Sequence, residues 1–354
     1  MAPHSQDPPA SSVPAEWLQR PLTPDPDVVY PVERVEVRDP HRGPLPWLGY
    51  IALRVLQGTV GRLPRALRNG LGRVLVTIIA PLDRRHTRAA LDFVRSAFPG
   101  YSEREAKALV RSAWLHLWDL TLRAPYAAGE ILHKPLGDAF RVSMDPRAQE
   151  LAAAGSPVVF VGCHVGHWEL AGIALATLGF QPIYAVGKAP RNDYLSRSMQ
   201  KAREAQGGRM LPRKDAMKSV PGVLRGGGSV IFLLDHRARS KPVYAPFFGR
   251  PAACERSASV LFRRLGVPIV FYACYGGEGP EPYEIVVGPV LEPADLAGLG
   301  PEAISARVNA EFETQIRRRP KQYFWLHDRY QHTPRTFEEL AAQESGANTA
   351  DAAP

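Results

Sequence analysis

From residue 156 onward the chain alternates between two hydrophobic rhythms. Short apolar runs, rich in β-branched residues, occur at 158–161, 182–186, 229–234, 268–272 and 283–287. Apolar runs this short, without polar alternation, predict strands buried on both faces, as in a parallel sheet. Helical spacing appears between several of them, at 169–178, 194–205, 216–224 and 258–265, and again at 303–317. Alternating strands and helices predict an α/β fold: a mostly parallel central sheet flanked by helices.

The pattern upstream is helical. Residues 86–134 carry Val110, Trp114, Leu117 and Trp118 at helical spacing, most simply a core-facing stripe. Ser102 and Glu105, three residues apart, make a capping box that predicts where one helix begins. Further upstream, apolar segments at 45–56 and 71–82 are interleaved with Arg42, Arg54, Arg62, Arg65, Arg68 and Arg73. Not one acidic residue lies between Asp39 and Asp83. Neither segment reaches the roughly 18 apolar residues a spanning helix needs. Basic residues beside Trp47, Tyr50, Leu53 and Val55 instead describe a helix lying in a membrane interface. An ordinary amphipathic helix, packed on the core with its arginines in water, has the same pattern.

Composition divides the chain further. Eleven of its 34 prolines fall in residues 1–46, so residues 1–44 read as a disordered, Pro-rich lead. Residues 333–354 have little to bury and read as a disordered tail. That leaves 45–332 as one domain, with a helical, membrane-associating part at 45–135 and an α/β catalytic core at 156–332. The 354 residues are 45% hydrophobic and 22% charged, enough apolar material for a sizeable core. The net charge of +9 points to an anionic partner, whether lipid head groups, an acidic carrier protein or nucleic acid; arginines on a solvated face would give the same number. Three cysteines without regular spacing argue against a disulfide framework or a structural zinc site and fit a reducing compartment. The first residues lack the basic-then-apolar order of a secretory signal.

The candidate chemistry begins at Pro157-Val-Val-Phe-Val-Gly-Cys-His-Val-Gly-His-Trp-Glu169. A buried strand ends in a turn carrying His164, and Glu169 follows where a helix starts. A histidine paired with a carboxylate is the smallest unit of general-base catalysis. Residues five apart on one continuous helix stand about 140° apart, so the two meet only if His164 lies in the turn and Glu169 in the first helical turn. A satisfied loop histidine followed by a helix-start charge would leave the same spacing. Zinc binding by His164, His167 and Glu169 lacks a recognised ligand spacing and a fourth ligand. Cys163 is a poor nucleophile for His164, since neighbours on an extended chain point oppositely.

Three other segments resemble sites. The run Val230-Ile-Phe-Leu-Leu-Asp-His-Arg237 should deliver Asp235 and Arg237 to the same sheet edge as His164, or else simply form a surface ion pair there. Phe247-Phe-Gly-Arg-Pro251 reads as Phe248 walling an apolar channel while Arg250 faces an anion, or as a plainly packed loop. Lys188, Arg191, Arg209, Arg213 and Lys214 form a basic group suited to gripping phosphate, or a solvated face. The interleaved aromatics of a single-strand nucleic-acid platform are absent, so nucleic acid is not expected. Pro320-Lys-Gln-Tyr-Phe-Trp-Leu-His-Asp-Arg-Tyr330 is aromatic enough to be core, with Trp325 and His327 closing the sheet edge.

Taken in order, these segments resemble the bacterial lipid A biosynthesis (late) acyltransferase family, within the wider glycerolipid acyltransferase superfamily. The resemblance rests on the His-x4-Glu motif at His164 and Glu169, the strand ending at Asp235, Pro246-Phe-Phe-Gly-Arg-Pro-Ala252 and Tyr323-Phe-Trp-Leu-His-Asp-Arg-Tyr330. Ala97-Phe-Pro-Gly-Tyr-Ser-Glu-Arg-Glu105 adds a weaker match, and the whole covers roughly residues 45–332. The chain departs from the family's pattern at His167, commonly Asn, and at His236, usually Gln. It departs again at Ala253-Cys-Glu-Arg256, which replaces a small, Thr-containing turn. Arg54 and Gln57 weaken the usual N-terminal membrane anchor.

The resemblance implies an O-acyltransferase of lipid A and lipopolysaccharide biosynthesis. It would move a fatty acyl chain from a thioester on acyl carrier protein or coenzyme A to a hydroxyl of a membrane lipid. His164 would be the general base and Glu169 its orienting partner. Arg191, Arg209, Arg213, Asp235, Arg237, Phe248 and Arg250 would bind substrate, and neither metal nor cofactor would be needed. The enzyme would sit on the cytoplasmic face of the inner membrane, peripheral or monotopic. A membrane-associated thioesterase or lipid hydrolase would use the same dyad on water, and an idle lipid-binding protein would keep the membrane attachment without turnover.

Overall fold

The computed structural model describes residues 13–25, 27–30, 40–213, 216–276 and 283–350. Seven strands form the central sheet, in the order β1-β9-β8-β2-β5-β3-β4. They are β1 (Phe140–Met144), β2 (Val159–Gly162), β3 (Ile183–Gly187), β4 (Gly208–Pro212), β5 (Ser229–Leu233), β8 (Ile269–Tyr275) and β9 (Tyr283–Leu291). Every pairing is parallel except β8 with β9. The expected α/β class, with a mostly parallel sheet between helices, is what the chain forms.

The apolar runs at the centre of the sheet are buried on both faces, while β3 and β9 are buried only in part. All four residues of β2 and all seven of β8 are inaccessible. One apolar cluster on each face of the sheet completes the core. A small antiparallel hairpin, β6 (Val243–Phe247) with β7 (Arg250–Cys254), packs against the helix Pro301–Arg318.

Two helices, Pro44–Thr59 and Arg65–Leu82, pack on the long helix Glu103–Ile131, whose Ala106, Leu109, Val110 and Ala113 join the core. The capping box at Ser102 and Glu105 is present, with both reciprocal hydrogen bonds. No helix among the described residues is long and apolar enough to cross a membrane. The first two helices instead leave apolar residues bare: Leu45 is 78% exposed, Leu48 55%, Val74 61% and Leu82 77%. Arg68, read from sequence as part of a basic face, is buried and donates to Asp119 at 2.8 Å and to the Leu63 carbonyl. A guanidinium amid apolar helices needs such partners to offset its desolvation.

Both expected tails are partly structured. Val13, Trp17 and Leu22 are buried in the core, and the Leu22 carbonyl accepts from His133 N–H. Proline content had masked these anchors. Residues 1–12 lie outside the described residues. At the other end, Phe337–Ala350 is helical, and Arg335 reaches Asp92 at 3.3 Å.

Candidate active site

The β2–β5 pairing builds the site. The two strands run parallel with Gly162 opposite Leu233. Two residues beyond each, at their carboxyl ends, stand His164 and Asp235. His164 Nδ1 lies 2.7 Å from Asp235 Oδ1, and the His164 backbone N–H donates to Oδ2 at 3.0 Å. Ligands of open α/β sheets bind outside the carboxyl ends of the strands. Asp235 is only 4% exposed. Burial opposes its ionisation, but the charge and two hydrogen bonds of His164 outweigh burial and hold the carboxyl below its ordinary range. A carboxylate on Nδ1 fixes the tautomer and leaves Nε2 as the basic nitrogen.

The loop holding His164 is latched by distant chain. Val165 bridges Tyr323, Phe324 N–H donates to the His164 carbonyl, and Gly166 N–H donates to the Gln322 carbonyl. Gly166 sits at φ +65°, and a Cβ there would lie 2.0 Å from the Cys274 carbonyl oxygen, so only glycine fits. Trp325 is fully buried at the centre of an aromatic group with Phe93, Phe98 and Tyr323. The 320–330 segment therefore does close the sheet edge.

His164 opens onto a cavity of about 1130 Å³ above β3, β4 and β5. Ile183, Val186, Ile231 and Leu233 give it apolar walls, and seven basic side chains line it, among them Lys188, Arg191 and Arg239. Its wall continues to His41, whose N–H donates to the Arg191 carbonyl. Next to it, Asn192 Nδ2 donates to the Pro46 carbonyl and Tyr50 stacks on Tyr194. The helix Pro44–Thr59, with its bare apolar residues, is thus docked beside the cavity.

The residues proposed from sequence separate into three groups. Glu169 lies in the first turn after the loop, as expected, and lines the cavity. Its carboxylate is nonetheless gripped by Arg203, with bonds of 2.9 and 2.6 Å, while Asp235 takes the histidine. Strand register, invisible to local spacing, decides which acid meets His164. Arg191, Arg209, Arg213 and Arg237 all line the cavity. Arg209 also stacks over Tyr30 at 3.9 Å, Arg213 pairs with Glu255, and Arg237 bonds Gln331 at 3.0 Å. Lys214 lies outside the described residues.

Phe248 and Arg250 do not reach the cavity. Phe248 is buried against Phe93 and Phe98, and Arg250 donates to Asp92 at 2.7 Å beneath Tyr330. A hairpin that packs its aromatic turn inward removes both from substrate. His167, grouped with His164 as a metal alternative, points the other way, toward His116 and Tyr283. Burial lowers its pKa to about 4, so it sits neutral inside the protein. His236, Arg203 and Trp168 also line the cavity, beyond the residues expected from sequence. Only His236 carried a signal, its place immediately after Asp235.

Fold and site together define an α/β enzyme: a buried carboxylate–imidazole pair at the strand ends, beside a large cavity with apolar walls and basic lining residues. The sequence profile of the bacterial lipid A biosynthesis acyltransferase family matches residues 34–332, so the chain belongs to that family and is an acyltransferase. It is similar to the lipid A biosynthesis palmitoleoyltransferase of Escherichia coli strain K12, 25% identical over 310 residues that cover 81% of this chain and 92% of the relative. The lipid A biosynthesis acyltransferase of Haemophilus influenzae is 23% identical over 285 residues, covering 79% and 85%.

Proposed function

We propose that this acyltransferase moves a fatty acyl chain from a thioester donor to a hydroxyl of a lipid A precursor, with His164 as general base and Asp235 as its orienting partner. The observation that carries the reading is the 2.7 Å contact between His164 Nδ1 and a buried carboxylate, at the edge of a cavity of about 1130 Å³ with apolar walls. His164 Nε2 takes the proton of the acceptor hydroxyl as its oxygen attacks the thioester carbonyl. Asp235 steadies the imidazolium that results. The tetrahedral oxyanion forms among the cations of the cavity lining, and its collapse expels the thiolate, which takes the proton from His164. No covalent acyl-enzyme is needed.

Each wall has a task. The apolar side suits the hydrocarbon chain. Lys188, Arg191 and Arg239 make no ion pair with other described residues and suit the phosphates of a glycolipid or the acidic surface of a carrier protein. The exposed apolar residues of helices Pro44–Thr59 and Arg65–Leu82 suit a bilayer surface, which would bring the acceptor to the cavity without leaving the lipid.

Lipid mass spectrometry of cells with and without the chain tests this. The intact enzyme should add one acyl group to a lipid A-type species, and His164→Ala should remove that species. In a purified assay His164→Ala should cost about 10²–10⁴-fold in rate. Full transfer by a correctly folded His164→Ala enzyme would sink the mechanism. Release of free fatty acid without any acceptor would turn the reading toward a thioesterase.

A further inference from the structure

A second chemistry overlaps the dyad. The ring of His236 stands edge-on to that of His164, with centroids 4.2 Å apart. One ligand atom each from His164, Asp235 and His236 can be chosen so that all three lie within 4.8 Å of one another. Ligands of a tetrahedral zinc, about 2.0–2.2 Å from the metal, stand roughly 3.4 Å apart. Closing the triangle therefore takes a shift of up to about 1.4 Å, within reach of side-chain torsions. His236 is free to make it: its side chain is 41% exposed, and no hydrogen bond with the described residues holds its ring. His164 Nδ1 and Asp235 Oδ1 stand 2.7 Å apart across a hydrogen bond, so an ion would take the place of its proton and spread the two atoms slightly.

The donor set is also right. Two imidazoles and one carboxylate are a common zinc complement, and a fourth position would open onto the cavity that His164 and His236 both line. Magnesium and calcium, which prefer sets made of oxygen, suit it poorly. The basic lining of the cavity opposes a cation, so micromolar affinity is expected rather than the far tighter grip of a structural zinc.

We propose that His164, Asp235 and His236 bind a zinc-class divalent cation, and that the bound ion and the catalytic use of His164 exclude each other. With Nδ1 of His164 on the metal, the neutral ring carries its one proton on Nε2 and cannot take another there, so the ion would act as a reversible brake. The binding half of the proposal stands on geometry alone; the exclusion half rests on His164 being the general base.

Titration of the metal-stripped full chain with Co²⁺ tests binding without turnover. One equivalent should bind and produce the visible absorption of four- or five-coordinate cobalt, and Zn²⁺ should displace it. His236→Gln and Asp235→Asn should each weaken binding at least about ten-fold, an effect of the size seen when metal sites lose a supporting group. The neighbouring His327→Gln should change it less than about three-fold. X-ray absorption of the zinc-loaded wild type should show two imidazoles and an oxygen ligand, a readout that needs no variant to fold. Absence of a saturable equivalent, or binding unchanged in both ligand variants, would overturn the site. Zn²⁺ should inhibit acyl transfer over the same concentration range, with reversal by chelator; transfer unaffected at saturating zinc would overturn the exclusion. A chain that binds the ion but transfers no acyl group would overturn the proposed function and leave the site standing.

Discussion

At the scale of single residues, the site is a contest between two acids for one base. Asp235 holds His164, and Glu169 is held by Arg203. Asp235→Asn keeps the shape but offers Nδ1 an uncertain partner, so kcat should fall about 10³-fold or more, with KM changed far less. Steady-state kinetics on the purified enzyme decide it. Glu169→Gln and Arg203→Met should give matching defects, and the double variant should be little worse than either, because each single change already breaks the same bidentate pair. If the two defects differ ten-fold, Glu169 has a task apart from its arginine.

His167 makes a prediction about pH. Its pKa is lowered to about 4 by burial, against an ordinary value of 6.5. The unfolded chain therefore binds a proton in that window while the folded chain does not. Stability is fully present above about pH 6.5 and is lost as pH falls toward 4. Between about pH 7 and pH 5 this one residue should cost about 2 kcal/mol. His167→Asn should flatten that slope in urea unfolding series at the two pH values. An unchanged slope would mean that another buried histidine dominates.

At the scale of elements, the sequence showed the frame more readily than the contacts. The five apolar runs became β2, β3, β5, β8 and β9: full burial of β2 and β8 leaves a continuous apolar signature, and the partly buried β3 and β9 keep most of it. The other strands did not announce themselves. In β1, Arg141 and Ser143 interrupt the run, and β4 is only Gly208-Arg-Met-Leu-Pro212. Both acids near His164 were visible as candidates, but which one it meets depends on Gly162 facing Leu233, a pairing between chain segments 71 residues apart. The inward packing of Phe248 was equally hidden, since an aromatic beside a turn serves a cavity or a core with the same letters. The turn bearing His164 has a sharper test. Gly166→Ala forces a left-handed backbone and a clash with Cys274, so it should cost about 3 kcal/mol or more in chemical denaturation and remove activity with it.

At the scale of the whole molecule, charge and bare apolar surface lie together. Arg62, Arg65 and Arg73 are exposed among Leu67, Leu71, Val74 and Ile78. Leu48→Glu with Ile78→Glu should lower partitioning onto anionic vesicles at least about ten-fold in a sedimentation assay, since each apolar side chain is worth about 1.5–3 kcal/mol when buried. Transfer to a detergent-dispersed acceptor should suffer less. Equal losses in both assays would mean that the change had disturbed the fold instead.

The latch between Val165 and Tyr323 has a consequence for the life of the chain on the ribosome. The turn bearing His164 and the segment that fastens it stand 158 residues apart along the chain, counted from Val165 to Tyr323. Strands β2 and β5 can pair once residue 235 has emerged, but the turn bearing His164 stays unfastened for about ninety residues more. A polypeptide interrupted anywhere in that interval carries the base and its acid yet no fixed place for either. If His164 is the base, competence arrives in one step, once residue 323 can fasten the turn, and a chain ended before that point should transfer no acyl group.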